Sequence, residues 1–364
     1  MPDPTLLDEF VLTPVHVPAD LAGLSTPEGA DFRAAIAIRN RIGTLALGAD
    51  AVEVTPEQSF PHWRTEDEEV HGWLVRMRGD VAGRGMMWIP LEPGSGRVQL
   101  RVEVLPEFRG RGVGRRVLGF LEERALERGR GILQAWTEHT PSTGKGVVAR
   151  TGFGAVPDDA ASRLAGSAGY SLEQVYRIST LRLDGPLEEI PRLLADAERA
   201  SVGYRFVSWT GPAPDAWVTD YAWMKSRMST DAPAGDSVMD EETWDADRVR
   251  RLEKVYADSG MSLVVGAAEH IATGRLVAFT ELVSFRQPGT PIDQNDTLVL
   301  AEHRGHRLGA LVKTRTLQLG REAFPEGDRI VTGNAEENRP MLAVNEAMGF
   351  VPTRYSGEWQ KVIH

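Results

Sequence analysis

The chain has 364 residues and a formal net charge of -11, from 41 basic and 52 acidic side chains. This length exceeds the roughly 250–300 residues at which a single hydrophobic core stops growing, so two domains are expected. The acidic charge disfavours nucleic acid and anionic membrane surfaces as partners. No cysteine is present, which excludes disulfides, thiolate catalysis and cysteine metal sites.

The sequence shows no targeting or metal-binding signal. Its N-terminus has no basic segment followed by an apolar run, and no stretch approaches the roughly 20 apolar residues that span a bilayer. The eight histidines show no metal-ligand spacing such as HExxH. A soluble, cytoplasmic protein without a metal site is therefore expected, and the oligomeric state is left open.

Both halves of the chain show strand patterns before a glycine-rich segment and a helical pattern after it. The first half predicts strands near Gly72–Arg78, Val81–Trp88, Gln99–Val104 and Ile132–Trp136. The second half predicts strands at Tyr204–Trp209, Leu263–Ala268, Leu276–Phe285, Asp296–Leu300 and Arg329–Thr332. It predicts helices at Asp215–Met228, Thr243–Asp258, Gly305–Ala323 and Asn338–Met348. Because many strands are joined by short turns, we predict an α/β (α+β) fold, in which helices flank a mixed, mostly antiparallel sheet in each half.

The two halves resemble each other in sequence pattern. The segment VEVLPEFRGRGVGRRVLGFLEERALERG reappears in pattern as TLVLAEHRGHRLGALVKTRTLQLGREAF, so that Arg304 follows Arg109 by 195 residues. A Gly-Phe pair follows in each half, at 152–153 and at 349–350. This period is far longer than that of solenoid repeats and indicates duplication of a whole domain. We place the boundary near Gly185, with domains at 1–185 and 186–364.

The glycine-rich segment of the first half lies between an apolar strand and a long helix. Such a turn leaves backbone N–H groups pointing outward at the positive end of the helix, an arrangement that binds phosphate. A Walker loop would end in Gly-Lys-Ser/Thr, whereas Arg115 and Arg116 follow here, and a dinucleotide loop has a different glycine spacing. Close packing of the turn is the alternative to phosphate binding.

The pattern Arg109-x-x-Gly112-x-Gly114 resembles the pyrophosphate loop of the GNAT (GCN5-related N-acetyltransferase) superfamily, Gln/Arg-x-x-Gly-x-Gly/Ala. The duplication is similar to that of tandem members of actinobacterial type, with an architecture similar to mycothiol synthase. The resemblance implies acetyl-CoA, or another acyl-CoA, as co-substrate, with its pyrophosphate on the loop and its pantetheine arm beside a splayed strand. In the first half the implied cofactor-binding residues are Val102, Glu103, Val104, Arg109, Gly110, Arg111, Gly112, Val113 and Gly114.

The second copy of the loop is altered, because Arg307 stands where the pattern has its first glycine. A backbone amide binds phosphate whatever its side chain, so this loop is either functional or a decayed structural copy. The implied residues here are Thr297, Leu298, Val299, Arg304, Gly305, His306, Arg307, Leu308 and Gly309. Asn338 begins a segment similar to the closing motif of the superfamily and is either a cofactor ligand or a helix N-cap.

Acyl transfer to an amine requires a base, and the candidates are strand carboxylates. Glu281 leads, because its apolar segment would raise the pKa of the carboxyl group; Asp296 and Glu103 follow, with Asp293 nearby in sequence. The alternative is a solvent-facing carboxylate for Glu281 and Glu103, and a turn residue for Asp296. The tyrosine that usually protonates the thiolate in this superfamily is replaced by Asn345 and Val148. Three explanations stay open: another residue donates the proton, solvent donates it, or one copy does not turn over.

The sequence therefore predicts an acyl-CoA-dependent N-acyltransferase that transfers an acetyl group to the primary amine of a small molecule by direct attack. The alternative hypothesis is an acyl-CoA-binding module or sensor in which one or both domains are inactive. Four aromatic residues of the second half either line an acceptor cleft or pack between domains: Trp209, Trp217, Tyr221 and Trp223.

Overall fold

The computed structural model describes residues 10–48, 51–141, 146–231, 235 and 237–363. Residues 1–9, on which the expectation about a leader partly rests, lie outside these ranges. Within them, no helix combines the length and the apolar character needed to cross a membrane. The chain divides into two compact units, which are Met1–Arg150 with Ala155–Glu173 and Gly357–His364, and Thr151–Gly154 with Gln174–Ser356.

The first unit is built on a sheet with the strand order β1-β2-β3-β4-β5. Its strands are β1 (Phe10–Pro14), β2 (Glu68–Met77), β3 (Asp80–Pro90), β4 (Arg97–Val104) and β5 (Ile132–His139), with a separate hairpin of β6 (Gly146–Val148) and β7 (Ala155–Pro157). Its helices are α1 (Ala30–Leu47), α2 (Pro56–Ser59), α3 (Val113–Glu127) and α4 (Ala160–Ser167). Strands β1 to β4 are antiparallel, whereas β4 and β5 are parallel.

The second unit repeats this plan, with the strand order β14-β8-β13-β12-β11-β10-β9. Its strands are β8 (Ser171–Arg182), β9 (Tyr204–Thr210), β10 (Ser262–His270), β11 (Arg275–Ser284), β12 (Ile292–Val299), β13 (Arg329–Ala335) and β14 (Val351–Val362). Its helices are α5 (Glu189–Ala200), α6 (Val218–Asp231), α7 (Ala246–Asp258), α8 (Leu308–Ala323) and α9 (Arg339–Met348). Here β12 and β13 are the parallel pair, and β9 to β12 are antiparallel. The predicted mixed, mostly antiparallel sheet with flanking helices is confirmed in both units.

The units do not follow the single boundary predicted at Gly185. Most of β8 belongs to the second unit, because Tyr176 to Arg182 pair with Ala335 to Arg329 of β13. The last residues of β14 belong to the first unit, where the Trp359 indole donates to Thr137 of β5. The structure thus replaces one boundary with several, because the strand that closes each half in sequence contributes residues to both units.

The predicted elements have the right type, and the differences lie at their ends. Helix α6 begins at Val218, three residues later than predicted, because the N–H groups of Trp217 and Val218 first close a turn on the carbonyl of Pro214. Strand β12 begins at Ile292 and not at Asp296. Its polar sequence hid the strand, although Asp293 pairs with both β11 and β13. Long-range pairing overrides a weak local strand propensity here.

The Gly-Phe pairs of the two halves play different roles. Phe350 is buried in a core cluster with α8, whereas Phe153 is 44% exposed. Residues 151–154 moreover belong to the second unit. The sequence repeat therefore marks equivalent positions at the glycine loops but not at these later pairs.

Candidate functional site

A splayed pair of parallel strands forms the centre of the second unit. Strands β12 and β13 pair only where Ile292 and Asp293 face Ile330 and Val331, and they diverge beyond that point. Residues 294–299 and 333–335 of the diverging strands line a cavity of about 1470 Å³. In the first unit, β4 and β5 likewise pair over four positions, Arg97–Leu100, and no further. Both units therefore have the strand geometry expected beside a pantetheine arm.

Most of the cofactor-binding residues predicted in the second half lie together in this cavity. Those that line it are Thr297, Leu298, Val299, Arg304, Gly305, Arg307, Leu308, Gly309 and Asn338. His306 does not line it and instead packs its ring against Tyr204. We call the part of the cavity formed by residues 304–310 and by the start of α9 the loop end.

The altered second loop keeps the backbone conformation of the first. Gly110 and Gly112 have φ angles of +74° and +80°, and Gly305 and Arg307 have φ angles of +89° and +53°. In the part of the chain that the structure describes, the N–H groups of residues 305–310 donate to no backbone carbonyl. They lie at the N-terminus of the 16-residue helix α8 and can bind an anion.

The arginine that begins each loop anchors it to the strand before it. The Nε atom of Arg109 donates to the carbonyl of Val104 at 2.8 Å, and that of Arg304 donates to the carbonyl of Val299 at 3.2 Å. The contact is the same in both copies. This arginine therefore positions the loop against the strand that would flank a bound pantetheine.

Asn338 is a helix N-cap, which is one of the two roles that the sequence left open, and its place in the cavity wall is compatible with the other. Its side chain accepts a hydrogen bond from the N–H of Met341 and caps α9, and it also lines the cavity. The residues just before it are fixed from β8, where Arg177 binds both carboxylate oxygens of Glu336 at 2.8 Å. The N-terminus of α9 is thus held rigidly at the loop end.

A buried ion cluster lies elsewhere in the cavity. The Nζ atom of Lys225 lies 2.8 Å from Glu281 Oε1 and 2.7 Å from Asp296 Oδ2, and the hydroxyl of Tyr221 donates to the same Glu281 oxygen. Glu281 is 1% exposed and Lys225 5%, whereas the Asp296 side chain is 36% exposed. We call this part of the cavity the carboxylate end.

Burial and charge act in opposite directions on these groups. Burial raises the pKa of Glu281, and the nearby Lys225 ammonium only partly offsets that effect. Burial would lower the pKa of Lys225, but the carboxylates of Asp296 and Glu281 outweigh it and raise that pKa. Burial also raises the pKa of Tyr221. Lys225 is therefore held as a cation, and Glu281 is a stronger base than an exposed glutamate.

Three residues of the carboxylate end were missed by the sequence analysis: Lys225, Trp244 and Tyr256. Lys225 had a detectable signal, because it lies on the same helical stripe as the buried residues Val218 and Tyr221 of α6. Its Nζ atom lies 4.9 Å from the centre of the Trp244 ring. No comparable signal marks Trp244 or Tyr256, since their positions depend on long-range packing.

The aromatic residues proposed for an acceptor cleft have other roles. Trp209 packs against Trp217 and Tyr221 in the core of the second unit, and Trp223 is 45% exposed. None of the four is among the described residues that line the cavity. Asp293 does not line it either; the residue is partly buried, and burial raises the pKa of its carboxyl to about 6.

The first unit has the intact loop but lacks the carboxylates of the second. The strand pairing shows which positions of the two units are equivalent. Val104 pairs with Gly83 in the first unit, as Val299 pairs with Ala278 in the second. Three residues along each strand from these pairs, the second unit has Glu281 and Asp296. The equivalent residues of the first unit are Met86 and Arg101, which face each other. The candidate base Glu103 forms a buried ion pair with Arg84. Its charge is therefore neutralised within the protein.

The positions of the missing tyrosines are also unsuited to proton donation. Asn345 is 2% exposed, and its amide donates to Asn334 at 2.6 Å, while Val148 is apolar. Among the described residues, no group of three or more His, Asp or Glu side chains is arranged to hold a metal ion.

Comparison with known proteins identifies the fold. Residues 43–149 match the model of the acetyltransferase (GNAT) family, and a comparison with curated proteins gives no match. A tandem GNAT protein from the clavulanic acid biosynthesis pathway has a TM-score of 0.72 at 23% identity, covering 97% of this chain and 98% of that chain. A GCN5-related N-acetyltransferase from Sphaerobacter thermophilus has a TM-score of 0.59 at 15% identity, covering 98% and 96%.

A putative acetyltransferase from Pyrococcus horikoshii gives a TM-score of 0.53 at 12% identity, covering 98% of this chain and 90% of that chain. At these identities the structural matches show a common fold. Together with the two splayed strand pairs, the two glycine loops and the family match of the first half, they make this chain a tandem GNAT-fold protein.

Proposed function

We propose that the second unit transfers an acyl group from acyl-CoA, most simply acetyl-CoA, to the amine of a small molecule. One observation carries this proposal: a single cavity joins the anion-binding loop at one end to the buried carboxylates Glu281 and Asp296 at the other. The loop suits a pyrophosphate, and the carboxylates suit the deprotonation of an ammonium group. The substrates would meet between the two ends.

The residues of the loop end fit a coenzyme A molecule. The N–H groups of residues 305–310 are available to phosphate oxygens, and the guanidinium groups of Arg304 and Arg307 supply positive charge beside them. The diverging β12 offers unpaired backbone groups at residues 295–296, where its pairing with β11 is interrupted. Such groups suit the amides of pantetheine and the oxygen of the thioester.

The transfer needs no covalent enzyme intermediate. The amine nitrogen forms a bond to the carbonyl carbon of the thioester as the carbon–sulfur bond breaks. An ammonium substrate loses two protons on becoming an amide: one is taken up by the departing thiolate, and the other leaves through the carboxylates to solvent. Glu281, with its raised pKa, is the proposed base, and the more exposed Asp296 connects it to the cavity.

Another group must replace the usual tyrosine as proton donor to the thiolate. Two tyrosines line the cavity, Tyr176 and Tyr256, and the phenol of each is protonated at neutral pH and can donate a proton. We favour Tyr256, which lies on α7 beside Asn295 of β12. Tyr256→Phe is expected to lower kcat, whereas an unchanged kcat would transfer the role to Tyr176 or to solvent.

The first unit is proposed to be a binding or structural module without transfer activity. Met86 and Arg101 stand at the positions of the second unit's carboxylates, and Leu164 of α4 packs against the first loop, 3.2 Å from where a side-chain carbon at Gly114 would lie. The architectural similarity to mycothiol synthase remains a prediction. The lack of cysteine suits a reducing compartment such as the cytoplasm.

The test is a thiol-release assay with acetyl-CoA and a library of primary amines, using Glu281→Gln, Asp296→Asn and Glu103→Gln. Removal of a general base is expected to lower kcat by about 100-fold or more for Glu281→Gln, with little change in CoA affinity. Glu103→Gln is the matched control in the first unit and is expected to keep its turnover per folded molecule. Tight CoA binding without amine-dependent release would instead support the binding module.

A further inference from the structure

The carboxylate end of the cavity carries more negative than positive charge. Its acidic side chains are Asp231, Glu242, Glu281 and Asp296, and its cation is Lys225. Asp231 and Glu242 are paired from outside the lining, by Arg227 and Arg248. Glu281 and Asp296 share the single ammonium group of Lys225. When all these groups are ionised, one negative charge is left for a ligand to neutralise.

The single cation in the described part of this end, Lys225, is already paired with two carboxylates. Lys225 is 5% exposed and lies between two carboxylates, with the Trp244 ring 4.9 Å away. The other cations among the described lining residues, Arg304 and Arg307, lie at the loop end, where the pyrophosphate would bind. Residues 232–234 and 236, outside the described ranges, contain no Lys or Arg in sequence.

The remaining lining of this end is largely apolar. Met228, Met239, Trp244 and Leu252 contribute to it, from α6, from the segment before α7 and from α7 itself. Met239 is 41% exposed. This surface suits an apolar or aromatic ligand body, and sulfur and aromatic side chains adapt well to such groups.

From this distribution of charge we propose the class of acceptor: a primary amine with an apolar or aromatic body and no carboxylate beside its amino group. The proposal rests on the proposed acyltransferase function. An α-amino acid would bring its carboxylate close to Asp296 and Glu281 with no free cation to pair with it. Juxtaposed like charges in a partly desolvated site are strongly unfavourable, so amino acids are excluded as acceptors.

The test compares phenethylamine, phenylalaninamide and phenylalanine at saturating acetyl-CoA. Phenylalaninamide has nearly the shape of phenylalanine but lacks the negative charge. We expect both neutral-bodied amines to exceed phenylalanine in kcat/KM by about 100-fold or more. Ethanolamine, which lacks an apolar body, is expected to be a poor acceptor. Equal kcat/KM for phenylalanine and its amide would overturn the proposal, as would a preference for ethanolamine.

A charge variant tests the physical cause. Glu242→Gln removes one carboxylate charge from the cavity wall, so the ratio of kcat/KM for phenylalaninamide to that for phenylalanine is expected to fall several-fold. Glu241→Gln removes the same charge from an exposed neighbour outside the lining and is expected to leave the ratio unchanged. An unaltered ratio in Glu242→Gln would contradict the electrostatic explanation. Failure with these amines but release with another member of the amine library would overturn only the acceptor class, whereas acetyl-CoA binding without release to any amine of the library would refute the acyltransferase function itself.

Discussion

Arg307 adopts the left-handed backbone conformation that Gly112 adopts at the equivalent position of the first loop. The φ angles are +53° and +80°, and both residues immediately precede the helix that follows the loop. A non-glycine residue in this region costs roughly 1–2 kcal/mol. The second loop thus keeps the conformation of the first despite this strain, and its N–H groups at residues 305–310 have no backbone acceptor among the described residues, as expected of a loop that binds an anion.

Arg307→Gly and Arg307→Ala separate the backbone strain from the lost guanidinium. Both variants lose the long ion pair with Asp196, but only the glycine variant relieves the left-handed strain. We expect the glycine variant to be more stable than the alanine variant by about 1 kcal/mol. Urea unfolding measures this difference. Equal stability of the two variants would mean that the loop has no strain at this position.

The arginine anchors of the two loops provide a matched test of which unit turns over. Arg304→Met and Arg109→Met each remove a hydrogen bond from the arginine Nε to the end of the preceding strand. Arg304→Met is expected to lower kcat/KM for acetyl-CoA by about 10-fold, the effect of losing one charge-assisted hydrogen bond. Arg109→Met should leave steady-state turnover unchanged. The opposite result would assign transfer to the first unit.

The elements of the fold were predictable because their signals are local. Alternating apolar residues marked the strands, and the glycine loops between a strand and a helix indicated the GNAT fold. The exchange of strand residues between the units was not predictable. Nothing in the sequence of β8 distinguishes pairing with β13 from pairing with a strand of its own half.

The candidate site was predicted in part for the same physical reason. The apolar segment around Glu281 predicts a desolvated carboxyl, and burial does raise its pKa. The sequence pattern does not single out Lys225 as a site residue, although it lies on the core stripe of α6. Its effect on the pKa of Glu281 depends on a contact between two residues that are 56 positions apart in the sequence. The periodicity of a single helix does not reveal such a contact.

Removing Lys225 is expected to lower the free energy of unfolding, because the carboxylate end then lacks its cation. In Lys225→Met, Glu281 and Asp296 lose their shared cation, and breaking a buried ion pair costs about 3–5 kcal/mol. The double variant Lys225→Met with Glu281→Gln removes one of the two carboxylate charges that have lost their cation. It is therefore expected to recover about 1–3 kcal/mol relative to Lys225→Met. Strictly additive losses in urea unfolding would contradict the coupling of these groups.

A second buried lysine provides a pH test of stability. Lys313 of α8 is 1% exposed, and its Nζ atom has no hydrogen-bond partner among the described residues. Burial lowers its pKa to about 7, from the 10.5 of an unburied lysine. Below pH 7 both the folded and the unfolded states bind this proton, and the folded state bears the full cost of burying the charge. Between pH 7 and 10.5 only the unfolded state still binds it. The contribution of this group therefore increases the free energy of unfolding as pH rises.

Lys313→Met is accordingly expected to exceed the wild type in stability at pH 7 by about 1–3 kcal/mol, because it removes a buried unpaired polar group. The difference should shrink from pH 7 toward pH 10, because the cost of deprotonating the wild-type lysine on folding falls as the pH approaches 10.5. Lys254→Met is the control, since Lys254 is exposed and forms an ion pair with Asp258 on the surface of α7. Urea unfolding at pH 6, 7, 8, 9 and 10 measures both series. A gap between Lys313→Met and the wild type that widens with pH would contradict a buried lysine with a lowered pKa, because the sign of the linkage would then be reversed.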